Sequence, residues 1–296
     1  MHKYRARVVC SAMLVVALTA LSLAGTAQAK LTGAFTRFAQ CPYKNTEVRK
    51  CIQSVTESGE VVLGSKKVPI VSPVTLQGGA GPVDEITEMS KFYAATNGVT
   101  LSKTPQNVPG GLLGIVPDAS SPPLVKALIK FFLENSLTGV NSTLELAKTA
   151  SDISISEFRI AAEEGVGLKI PVKVHLENPF LGKNCYVGSS TSPITWNMTS
   201  ATTAPPAPNK AISGFGGEGE FLEEARIVVL KNNKIVDNAW SAPAPTGCGG
   251  ILSFLVTPII KAQLGTTSAG YNTAILKGTV SSSPAASVKK NDEEHP

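Results

Sequence analysis

Short β-type runs bounded by turn residues recur along the chain, and one of them alternates apolar and polar residues with period two, the mark of a strand that buries one face. The longest such run is Leu168–Glu177, where Val172, Val174 and Leu176 alternate with Lys173, His175 and Glu177. Asn178-Pro179 ends it, since proline has no N–H for a ladder and pushes its predecessor into extended or turn geometry. Pro171, near its start, predicts an edge position or a bulge. By the same alternation His175 lies on the polar face as a solvated residue. Shorter runs at Glu60–Leu63 and Val68–Val71 flank Gly64-Ser65-Lys66 and predict a hairpin. Lys91–Ala95 and Val99–Ser102 flank Thr96-Asn97-Gly98 and predict a second, because asparagine and glycine tolerate positive φ. Pro73–Gln77 reads as a strand followed by a loop of Gly78, Gly79, Gly81 and Pro82. Ser156–Ala162 reads as a hairpin arm turning at Glu163-Glu164-Gly165, and Arg226–Leu230 with Ile235–Trp240 as a hairpin across Lys231–Lys234. Asn272–Val280 is the last strand.

Helical spacing interrupts this pattern near residues 120–150. Ser120 or Ser121 caps, Pro122 or Pro123 occupies the first turn, and LVKALIKFFLENS follows with Lys126 and Lys130 on one face. A second, weaker helix is read at Ser142–Thr149, making a helical hairpin. ILSFLVTPIIKAQLG after Cys248 reads as a helix broken at Pro258, or as a strand and a helix. Residues 190–213, rich in Ser, Thr, Pro and Ala, read as an extended surface loop, and residues 281–296 as a disordered tail. The expected fold is mainly β: one antiparallel sandwich or distorted barrel over residues 30–280 with the helical hairpin inserted.

The N-terminus changes the setting. Lys3, Arg5 and Arg7 precede an apolar run from Met13 to Ala24, and Ala27-Gln28-Ala29 supplies a small-x-small cleavage pattern. Residues 1–29 are therefore read as a signal peptide and the mature chain as secreted or cell-envelope-associated, without a transmembrane segment. Cleavage removes three basic residues and no acidic one, so a formal charge of +5 becomes +2. No basic stripe remains to suit nucleic acid. Four cysteines survive, and in an exported chain they read as two disulfides with three connectivities. Cys41 and Cys51 close a short loop and are the natural local pair, which leaves Cys185 with Cys248. Zinc fits poorly, since the spacing lacks a close cysteine pair.

Candidate chemistry is sparse. Gly214–Gly219 matches G-x-G-x-x-G, but a proline-rich loop precedes it where a dinucleotide site needs a strand, and it reads as a flexible loop. His2 leaves with the signal and His295 is in the tail, so a nucleophilic triad would rest on His175. Glu163, Glu164, Glu177, Glu218, Glu220, Glu223 and Glu224 could serve a carboxylate-dependent hydrolase. The apolar helix at Leu124–Leu133 could contact lipid. No cofactor, metal or catalytic residue is assigned. The leading expectation is a non-catalytic protein with a binding or structural role toward a cell-envelope component. A secreted hydrolase and a lipid-contacting protein stand as alternatives.

Several phrases resemble a family of uncharacterised secreted actinobacterial proteins. They are FAQCP at Phe38–Pro42, SGE at Ser58–Glu60, LQGG at Leu76–Gly79, LSKTPQNVPGGLLG at Leu101–Gly114 and HLENPFLGKNCYVGS at His175–Ser189. The resemblance implies export and a single architecture, and carries no activity.

Overall fold

The computed structural model describes residues 31–111, 122, 123, 127 and 139–295. Fourteen strands form one hydrogen-bonded antiparallel sheet in the order β11-β12-β14-β1-β3-β4-β7-β8-β6-β5, with β2 paired to β1, β9 and β10 to β8, and β13 to β9. Their ranges are β1 Lys50–Leu63, β2 Lys66–Ile70, β3 Val74–Val83, β4 Ser90–Ala94, β5 Pro105–Asn107, β6 Asn141–Leu146, β7 Ser154–Ile155, β8 Leu168–Glu177, β9 Tyr186–Val187, β10 Ile194–Met198, β11 Glu218–Leu222, β12 Ile227–Asp237, β13 Pro245–Thr246 and β14 Thr273–Pro284. Among the described residues three α-helices can be given ranges: α1 Glu157–Ala162, α2 Ser253–Leu264 and α3 Ala285–Glu294. The chain is thus mainly β and antiparallel, as the alternation predicts.

The sheet curls until β5 reaches the corner between β2 and β3. Gln106 makes that closure. It is buried, its Oε1 accepts from the N–H of Val71 (2.9 Å) and Ser72 (3.1 Å), and its Nε2 donates to the Ser72 carbonyl (2.8 Å). One side chain so replaces a ladder and satisfies backbone groups that would otherwise be orphaned. Period-two alternation then splits the apolar residues into two cores. Ile52, Leu76, Phe92, Ile170, Val172 and Trp196 belong to the larger, inside the curl. Cys51, Ile227 and Val229 face the other way and pack with Phe38, Tyr43, Ala285 and Val288. The Cys41–Cys51 disulfide fixes the N-terminal segment over that outer face. The Tyr43 phenol, buried and bonded to Asp292, is pushed far above its ordinary pKa by desolvation first and by that carboxylate second.

Several local expectations are corrected. The tail expected to be disordered is ordered over its described residues, 281–295: β14 runs to Pro284, and α3 follows because Ala285 and Val288, three apart, bury one stripe in the outer core. Asn291 Oδ1 accepts from the Thr32 N–H and ties it down further. Ser142–Thr149 is not helical; Asn141–Leu146 is a strand, with Ser142 and Leu144 facing in and Thr143 and Glu145 facing out. The first arm of the expected helical hairpin lies outside the described residues, except for Pro123 and Ala127, which are helical. The expected hairpin arm at Ser156–Ala162 is instead the helix Glu157–Ala162, since Ser156 caps it by accepting from the Arg159 N–H and Glu157 lies in the first turn. Within 190–213, Ile194–Met198 is a strand that buries Trp196.

The expected hairpin at Lys231–Lys234 is one strand with a bulge. Asn232 takes a positive φ of 56°, and the Asn233 amide donates to the carbonyls of Leu230 and Gly278, holding the extra residues in place. The Thr96-Asn97-Gly98 turn forms, but Leu101 bridges to Leu76 of β3, so its second arm does not pair with β4. Pro171 is not at an edge. It lies in β8 where the β6 pairing ends, at Val172, and the β7 pairing begins, at Lys169. The missing N–H thus falls between two partners. Gly78, Gly79 and Gly81 are not a loop but part of β3; a Cβ on Gly78 would lie 2.3 Å from the Tyr93 carbonyl oxygen. Pro258 does not break α2, which turns that part of its surface to solvent.

Candidate functional site

The inner face of the curl does not close on itself. It leaves a cavity of about 140 Å3. Strands from several parts of the sheet and one helix contribute to the wall. Val61 and Leu63 come from β1, Val68 and Ile70 from β2, Leu144 from β6, Leu168, Ile170, Val174 and Leu176 from β8, Trp196 from β10, and Ile260 and Leu264 from α2. The inward positions of β8 are the apolar half of the alternation read from the sequence, so the strand pattern itself builds the wall. Polar atoms are few. Among the described lining residues Lys66 is the only charged one, and its Nζ donates to Gln263 Oε1 (3.0 Å). Gln106 lines the space but is engaged in the closure. A mainly apolar cavity with a few polar groups at its wall has the form of a site for a small apolar molecule.

One polar atom stands apart. Trp196 lines the cavity and is 1% exposed, and its indole Nε1 has no hydrogen-bond partner among the described residues. Trp240 meets it edge to face at 5.9 Å and donates its own Nε1–H to the Asp237 carbonyl. Asp237 is itself buried, which pushes its carboxyl above the ordinary value, against the lowering effect of hydrogen bonds from the N–H of Ala239 and Asn197. Asn272, fully buried, joins these parts. Its Nδ2 donates to the carbonyls of Trp240, Thr267 and Ser268, and its Oδ1 accepts from the Gly64 N–H. Nothing in the residue pattern marks Trp196 or Asn272 beforehand; Trp196 lay in a stretch read as loop.

The opposite face of β8 carries the charged cluster. His175 is half-buried, not solvated: it stacks on Tyr186 at 4.4 Å and donates from Nε2 to the Lys183 carbonyl (3.1 Å). Its Nδ1 is 3.9 Å from Glu145 and 3.8 Å from Glu177. Lys173 lies over the Tyr186 ring at 4.3 Å. Burial pushes the Glu145 carboxyl up, but Lys103 and Lys173, each at 3.3 Å, outweigh it and hold the group below the ordinary carboxylate value. The folded pKa is thus below the unfolded one. The stabilisation is full above the unfolded value and is lost as pH falls through the folded one. Urea melts between about pH 6 and about pH 3 should show an acid-side loss that Glu145→Gln reduces by up to about 1 kcal/mol. An unchanged acid limb in Glu145→Gln would remove this cluster from the account.

The remaining sequence candidates are dispersed. Glu163 Oε1 accepts from the Gly216 N–H, Glu218 pairs with Asn232, and Glu220 pairs with Lys231 on the exposed edge strand β11. Glu177 accepts from the Thr143 hydroxyl (2.7 Å). None of the seven glutamates named from the sequence lines the cavity. Gly214 and Gly216 are not in a flexible loop: a Cβ at Gly214 would meet Ser200 Cα at 2.5 Å, and one at Gly216 the Ile160 carbonyl oxygen at 2.6 Å. They are packing positions. Cys185 and Cys248 form the second disulfide, fully buried, which ties the turn after β8 to the start of α2. Among the described residues no group of three His, Cys, Asp or Glu is placed to hold a metal ion, and no helix is long and apolar enough to cross a membrane. Comparisons with protein-family models, curated proteins and solved structures find no match to this chain.

Proposed function

We propose that the chain is an exported, non-catalytic binding protein that holds an apolar or weakly polar small molecule inside the curled sheet. The observation that carries this reading is the cavity of about 140 Å3 walled by β1, β2, β6, β8, β10 and α2. Protein interiors are normally packed to crystal-like density, so an apolar void of this size is costly unless it is filled. Two intramolecular disulfides fit an oxidising compartment. The carboxylate-hydrolase reading has no support of this kind, because the glutamates offered for it lie outside the cavity. The native mature chain should melt at a higher temperature in the presence of a small apolar or weakly polar molecule such as benzene. A melting temperature that no such molecule moves overturns the reading.

Lipid-surface contact is favoured as a second role by α2, although the helix first suspected of it lies almost wholly outside the described residues. The inner face of α2 supplies Ile260 and Leu264 to the cavity wall, while its outer face exposes Phe254 (71%), Leu255 and Ile259, with Ile251 (96%) just before it and Phe180 also exposed. A helix apolar on both faces suits a non-aqueous neighbour. Residues 178–217 and 238–291 contain no acidic residue, and the exposed Lys183 and Lys261 suit anionic headgroups. The mature protein should co-sediment with anionic phospholipid vesicles, and the double variant Ile251→Asp, Phe254→Asp should not. Wild-type protein left in the supernatant would sink this role.

A further inference from the structure

We infer that the cavity takes a compact hydrocarbon-like molecule of about benzene size, without a hydrogen-bonding group, and turns away acyl chains. The inference rests on the cavity being a binding site and adds the chemical class of its occupant.

Size is the first reason. The cavity measures about 140 Å3. An apolar cavity of about 150 Å3 made in a protein core stays dry and takes benzene or xenon. A ring of that size fills such a space, whereas an acyl chain has nowhere to lie. The chemistry of the wall is the second. Leu144, Ile170, Val174, Leu176, Ile260 and Leu276 present hydrocarbon to the space. The amide of Gln106 is spent at both ends on the corner of Val71 and Ser72, and Lys66 Nζ donates to Gln263 Oε1. A guest with a hydroxyl leaves water for a wall that repays little of the hydrogen bonding it gives up.

The third reason is that the walls are tied to one another, so the space does not stretch around a longer guest. The turn between β1 and β2 is fastened to the C-terminal end of α2: the Ser65 N–H donates to the Leu264 carbonyl (2.8 Å) and the Ser65 hydroxyl to the Gln263 carbonyl (2.7 Å). In the same turn the Gly64 N–H donates to Asn272 Oδ1 (3.0 Å), just before β14. Ahead of α2, the Cys185–Cys248 bond and the Gly249 N–H, which donates to the Leu181 carbonyl (2.7 Å), fix the segment that leads into the helix, and Leu181 lines the cavity. A long chain would have to break one of these ties, and a compact ring would not. The lipid surface proposed for the outer face of α2 and the cavity behind it thus serve different molecules.

Calorimetry on the full mature chain with benzene, cyclohexane, phenol and decanoate tests this. Benzene and cyclohexane should each bind once per chain. Phenol, nearly the same shape with one hydroxyl, should bind at least tenfold more weakly than benzene, and decanoate should not displace bound benzene. Displacement of benzene by decanoate, decanoate binding without benzene, or phenol binding as tightly as benzene overturns the inference while the cavity reading stands. Binding of none of the four overturns the cavity reading itself. Leu144→Trp should lose benzene and cyclohexane together, and benzene bound as tightly by that variant places the site elsewhere and overturns both. If Leu144→Trp does not fold, the four probes on the wild type still decide.

Discussion

Cys185→Ser should lower the stability of the mature chain by about 4 kcal/mol in non-reducing buffer, and Cys248→Ser should match it. The two cysteines are 63 residues apart, so their bond removes a long loop's freedom from the unfolded chain. Both are fully buried, and the bond fastens the turn after β8 to Gly249, whose N–H donates to the Leu181 carbonyl at 2.7 Å. Losing it loosens the segment that leads into α2 as well as enlarging the unfolded ensemble. The double variant should cost no more than either single change, since one bond is lost in each case. Breaking the Cys41–Cys51 bond, with a separation of 10 residues, should cost less, about 3 kcal/mol. Denaturant melts of the four variants check this. Additive losses for Cys185→Ser and Cys248→Ser, or reactive thiols at both positions in the native protein, would contradict it.

The largest functional effect is expected from filling the cavity. Leu144 and Val61 are only partly buried, line the space from β6 and β1, and pack against the main core. Leu144→Trp and Val61→Trp add bulk where atoms are missing, so they should fold with little loss and weaken ligand uptake at least about tenfold, or about 1.4 kcal/mol. Enlarging a side chain in a well-packed core would instead destabilise by about 1–3 kcal/mol. Melting and calorimetry together separate the two cases: stable variants that bind as the wild type would place the ligand elsewhere.

The sequence carried the sheet better than the site. Alternation in Leu168–Glu177 assigned the inward and outward positions of β8, and the cysteine count led to both disulfide pairs. Errors arose where tertiary packing overrode composition. The tail read as disordered holds few apolar residues, but Ala285 and Val288 suffice because the outer core is already built by Phe38, Tyr43 and Ile227. Asn232-Asn233 looks like a hairpin turn, and the same positive φ serves a bulge when the partner strand continues past it. Ser142–Thr149 has helix-forming residues, yet pairing with β8 decides its state. The cavity was not readable at all. Its walls consist of inward residues that look like ordinary core, and whether they meet depends on how far the sheet curls, set by Gln106 and the bulges. Trp196 gave no signal because an unsatisfied indole is a property of its surroundings.

The most direct test of the cavity as a ligand site is an NMR titration of the mature chain with benzene. The protein would be produced in an exporting host and purified without detergent. The account predicts saturable uptake of one benzene per chain, with shifts centred on the methyl groups of the lining residues Leu144, Ile170 and Val174, and no uptake by Leu144→Trp. Lining methyl groups whose signals do not move at saturating benzene would contradict it.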